Sequence, residues 1–141
     1  MDKELRLFSD FERTNYNASE YSEKYYIYLN DSARVGFSYV RELLENWYKV
    51  YKTYVSNPSD LQKRFKSSRD SQHISAFFEL YLFTLLLKLD YTVEVNPHLE
   101  AKEVSTNYKT PDFKAIGINS NSFIVECYSS EFVGERLFDK H

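Results

Sequence analysis

Residues 110–128 read TPDFKAIGINSNSFIVECY. Phe123, Ile124 and Val125 are β-formers, Thr110 to Gly117 alternates loosely, and Gly117, Asn119, Ser120 and Asn121 supply turn chemistry between the two runs. The stretch therefore predicts a hairpin. Side chains alternate along a strand, so Asp112, Lys114 and Ile116 share one side, as do Ile124, Glu126 and Tyr128. Phe123, Val125 and Cys127 take the other side, where Cys127 reads as a core residue. On this reading Asp112 and Glu126 meet on one face, two carboxylates placed to hold a divalent cation.

Upstream lies the most apolar segment, AFFELYLFTLLLKL at residues 76–89. Asp70 or Ser71 caps a helix that continues to about Asp90, and its apolar surface nearly all round makes it the central helix of the domain. Glu79 breaks that surface. A carboxylate there loses solvation, so it either finds an arginine or water at the helix rim or belongs to a metal site. Between this helix and the hairpin, Tyr91 to Asn96 alternates as a strand ended by Pro97, and His98 to Lys109 reads as a loop. Ser129 and Ser130 are placed to cap a last short helix.

Before the central helix the pattern is helical. Ala33 to Val55 reads as a long helix burying Phe37, Val40, Leu44, Trp47, Val50, Tyr51 and Tyr54, and Asn57 to Asp60 stops it and caps a short helix through Phe65. Met1 to Asn30 is polar and tyrosine-rich, and is expected at the periphery with a helix around Ser19 to Leu29.

The chain has 141 residues, enough for one domain that removes roughly 68% of its unfolded surface from water. A single cysteine rules out an internal disulfide and fits a reducing cytoplasm. The longest apolar run is too short to span a bilayer, so no membrane partner is expected. The net charge of −3 gives no global attraction to nucleic acid. A local patch remains, in which Lys49, Lys52, Lys63, Arg64, Lys66 and Arg69 face only Asp60 and Asp70. It is either a solvated surface or a contact for phosphates. His73, His98 and His141 are too scattered for a zinc site.

The order of helix with an inward Glu79, strand, Pro111-Asp112 strand, turn, Glu126-Cys127-Tyr128 strand and helix resembles the PD-(D/E)XK nuclease superfamily, the restriction-endonuclease-like fold. Thirteen residues separate Asp112 from Glu126. The stretch is also similar to a group of uncharacterised bacterial proteins with a PDF…VE core. The resemblance covers residues 61–141 and implies an α/β fold: a helical N-terminal half, residues 1–60, followed by an α-β-β-β-α core that ends before its fourth strand. A further C-terminal portion or a second copy of the chain would then complete the core, and the open edge would be covered by the N-terminal segment Met1 to Asn30 or by a second copy.

The resemblance also implies Mg²⁺ or Mn²⁺ on Asp112, Glu126 and the carbonyl of Cys127, with Glu79 completing the acidic site. Its reaction is hydrolysis of nucleic acid, DNA ahead of RNA, in a defence or mobile-element setting. Tyr128 stands where the motif has its lysine, and Lys114 is the candidate to replace that charge. The alternative is a module that has lost catalysis and serves in binding or assembly.

Overall fold

The structure is a computed structural model that describes residues 4–20, 23–97 and 111–127. The expected loop at 98–109, the final helix after Ser129 and the side chain of Tyr128 lie outside the described residues. Among the described residues four helices precede three strands: α1 (Tyr25–Asp31), α2 (Val35–Tyr51), α3 (Pro58–Phe65), α4 (Asp70–Lys88), β1 (Thr92–Val95), β2 (Phe113–Ile116) and β3 (Ser122–Val125). The chain is thus mixed α/β with a helical N-terminal half.

Helix α4 is central, packing on α1, α2, α3 and β1. It buries Ala76, Leu80, Phe83 and Leu86, while Phe78, Tyr81 and Leu85 on its other side stay exposed. The strands form an antiparallel sheet in the order β1-β2-β3. Val93 faces Ala115 across β1–β2, and Phe113 faces Val125 across β2–β3. Val93, Phe113 and Ala115 are buried, and the Phe113 ring lies 6.1 Å from that of Phe83 on α4. The hairpin turn falls where the Gly/Asn/Ser run requires it. Gly117 N–H donates to Asn121 O at 2.8 Å, and Ser120 takes φ 64°.

Two expectations need correction. Helix α2 is shorter than Ala33 to Val55, and its buried residues are Arg41, Leu44, Tyr48 and Tyr51, with Val40, Val50 and Tyr54 exposed. The inner stripe includes Arg41 because α1 ends against it. Arg41 Nη1 donates to Leu29 O at 2.8 Å and to Ser32 O at 2.7 Å, satisfying carbonyls that a helix C-terminus leaves without partners. Arg41→Met should therefore cost about 2 kcal/mol, read as a lowered urea midpoint.

The N-terminal segment is the second correction. Leu7 and Phe8 are buried in the core rather than peripheral. Phe8 stacks on Tyr26 at 5.9 Å and meets the edge of Phe65 at 5.6 Å. The helix expected around Ser19 to Leu29 is found as the seven-residue α1, which starts later and ends at Asp31. Lys52 Nζ donates to Leu5 O and Gln62 to Arg6 O, so this part of the segment lies against the end of α2 and on α3, and among the described residues the sheet has only β1, β2 and β3. One cluster of buried side chains, from Leu7 to Ala115, joins the helices to the sheet. Among the described residues no helix is long and apolar enough to cross a membrane.

Candidate functional site

Glu79 sits mid-way along α4, only 8% exposed among apolar neighbours. What it meets is Asp112, at the bend just before β2. Asp112 is held from both sides. Its carbonyl accepts from Asn96 N–H at 2.8 Å, extending the β1–β2 ladder by one step. Its Oδ2 accepts from Cys127 N–H at 2.7 Å, just past β3. The Glu79 carboxyl comes within reach of the Asp112 side chain, which helps to raise its pKa.

Arg64 of α3 closes the cluster. Its Nη1 donates to Glu79 Oε2, while Nη2 and Nε reach Asp60 Oδ2 at 3.1 and 3.2 Å. The Asp60–Arg64 pair is one helical turn apart, and α3 packs along α4, so the guanidinium is delivered onto Glu79.

The electrostatics follow from this packing. Burial pushes the Glu79 carboxyl up to about 7; Arg64 opposes the shift, and the bond to Asp112 and its charge add to it. Burial alone would lower the pKa of Arg64, but the hydrogen bond and charge of Glu79, then Asp60, raise it, so the guanidinium stays charged. The Cys127 thiol is pushed up to about 12 by burial and by the charges of Asp112 and Glu79. It is no nucleophile at neutral pH. These groups line a polar cleft of about 700 Å³, to which Asn57, Ser75 and Asn96 also contribute.

The expected carboxylate triad is only partly assembled. Glu79 and Asp112 meet, whereas Glu126 is exposed and is not part of the cleft lining. Val125 and Cys127 pack against the core, and Glu126 between them, just past the end of β3, is exposed. Lys114 is on the face away from the core, opposite Glu94 and Ile124 in register, while its neighbours Phe113 and Ala115 are buried. Asp112 escapes this parity because β2 begins one residue after it.

The basic patch divides as well. Arg64 turns into the cleft, and Lys52 pairs with Glu4 at 3.5 Å and with the Leu5 carbonyl. Lys49, Lys63, Lys66 and Arg69 remain exposed. His73 is buried with Nδ1 2.6 Å from Phe65 O, and burial lowers its pKa.

Among the described residues no three His, Cys, Asp or Glu side chains group to hold a metal ion. The pair itself still fits a hard cation. Mg²⁺ keeps several waters and needs only one or two protein carboxylates, and Glu79 and Asp112 offer oxygens within reach of each other. Comparison with protein-family models, curated proteins and solved structures finds no match to this chain.

Proposed function

We propose that the chain is a restriction-endonuclease-like domain that hydrolyses phosphodiesters of nucleic acid with a divalent cation held by Glu79 and Asp112. The observation carrying this reading is the meeting of those two carboxylates, one from an apolar helix and one from a Pro-Asp strand entry, in a polar cleft. Mg²⁺ or Mn²⁺, when bound, supplies a more acidic water and charge for the phosphoryl oxygens. Asp112 is fixed by two backbone contacts, so its carboxylate is pre-oriented. Asn57, Ser75 and Asn96 offer uncharged polar groups to sugar and phosphate, and the exposed lysines of α3 and its end give salt-dependent attraction to the backbone. With only Lys49, Lys63, Lys66 and Arg69 of the basic patch exposed, and a net charge of −3, single-stranded or flexible substrate is favoured over a rigid duplex.

A second reading, a nuclease-like module that binds without cutting, is favoured by Tyr128 in the motif's lysine position and by the exposure of Glu126. Calorimetric titration with Mn²⁺ separates the two, because only the first requires saturable metal binding. Cleavage of single-stranded DNA in Mn²⁺ is the matching activity measurement. Glu126→Gln is expected to leave the Mn²⁺ affinity within about threefold of the parent, since the side chain stands outside the cleft. A loss as complete as that of a cleft residue would mean that the hairpin turns Glu126 inward on binding.

A further inference from the structure

We infer that Arg64 is the internal counter-ion of the cleft, holding Glu79 and Asp112 together in the ion-free protein, and that a divalent cation binds there by displacing its guanidinium. The inference rests on the two-carboxylate site proposed above, but it concerns a residue that neither the helix–strand pattern nor the nuclease motif singles out.

The geometry has an inner and an outer anchor. Glu79, with 11% of its side chain exposed, takes Nη1 of Arg64; Asp60, with 64% exposed, takes Nη2 and Nε. Arg64 itself is 29% exposed, between the two. Two carboxyl groups at hydrogen-bond distance repel once both are ionised, and a buried pair needs either a proton or a cation. Among the described residues lining the cleft, Arg64 is the one carrying a positive charge. It therefore occupies the electrostatic place that a metal ion would take.

A metal ion on the same oxygens would stand a few ångströms from the guanidinium, and like charges so close do not coexist in a half-buried cleft. Displacement does not require α3 to move. Asp60 lies one turn before Arg64 on the same helix and nearer to solvent, so the guanidinium has an anchor to retain after leaving Glu79.

The test compares the parent protein with Arg64→Gln and Arg64→Lys, using calorimetric titration with Mn²⁺ and thermal melting with and without it. Arg64→Gln should melt below the parent without metal, regain that loss in saturating Mn²⁺, and bind the ion about tenfold more tightly because the competing charge is gone. Arg64→Lys keeps the charge and should bind Mn²⁺ close to parental strength. Equal or weaker binding by Arg64→Gln overturns the inference, as does an equal gain in both variants.

If the parent binds no Mn²⁺ and Arg64→Gln does, Arg64 occupies the ion's place but is not displaced by it, so the inference is overturned at that step and the metal-dependent activity proposed for the parent falls with it. If neither binds, both fall. Should Arg64→Gln not fold, the arginine Nε–H NMR signals of the parent are followed during Mg²⁺ titration, with the Arg64 signal identified by its absence from Arg64→Lys. A signal that moves supports displacement, and one that stays in place overturns it.

Discussion

Asp112→Asn is expected to abolish Mn²⁺ binding, a loss of at least about a hundredfold in affinity or about 2.7 kcal/mol, in a protein that remains folded. Asparagine keeps the shape and one acceptor oxygen, so Cys127 N–H, 2.7 Å from the carboxylate in the parent, retains its partner. The backbone bond from Asn96 is untouched. What disappears is the carboxylate that Arg64 does not pair with. Glu79 and Asp60 are then left sharing the one guanidinium of Arg64. Asp112→Ala would lose the same charge and also strand the Cys127 N–H, adding about 1–3 kcal/mol of destabilisation. The asparagine variant is therefore the informative one. Circular dichroism checks its fold and calorimetry its binding. Parental Mn²⁺ affinity in Asp112→Asn would remove the basis for the proposed function.

The parts of this structure legible in the sequence are those whose pattern has one physical solution. A fourteen-residue apolar run can only be a buried helix, and α4 is central. Alternation ended by Pro97 gives β1, and a Gly/Asn/Ser turn between β-formers gives the β2–β3 hairpin. Helix α2 was not legible because two adjacent stripes are both apolar. Tyrosine does not decide between them, since its ring packs equally well inside or at the surface. The choice fell to Arg41, which bonds the end of α1, a contact that no spacing rule reveals. Leu7 and Phe8 are buried from a segment with no regular structure, where periodicity has nothing to measure.

At the site, Glu79 and Asp112 stood out because their chemistry contradicts their surroundings. Glu126 was placed with Asp112 by counting alternation through a residue that lies before the strand rather than in it. Arg64 was hidden in a run of positive charge. The signal that could have found it is the buried Glu79, which demands a cation, together with an arginine on the short helix packed beside it.

Raising the pH from 4.5 to 7 should destabilise the protein by roughly 3 kcal/mol through Glu79. The sign follows from where the proton resides. In the unfolded chain Glu79 titrates near 4.5, and in the folded protein burial first, and then Asp112, hold it up to about 7. Below 4.5 both states carry the proton and the full contribution is present. As the pH rises the unfolded chain releases its proton while the folded protein keeps it, so the balance tilts towards unfolding until the folded group also ionises near 7. Glu79→Gln is neutral throughout, can donate to Asp112 and can accept from Arg64, and should show no such loss.

His73 acts in the opposite sense. Its folded pKa is depressed, so its contribution is present above the ordinary histidine value and is lost as the pH falls. The measurement is therefore the difference in urea midpoint between parent and Glu79→Gln across the window, in which the common contribution of His73 cancels. Metal enters with the same proton in mind. An ion needs the ionised pair, so Mn²⁺ affinity should climb about tenfold per pH unit until Glu79 ionises. Parallel stability curves for parent and Glu79→Gln from pH 4.5 to 7 would mean that the two carboxyl groups share no proton, and that Arg64 alone settles their charge.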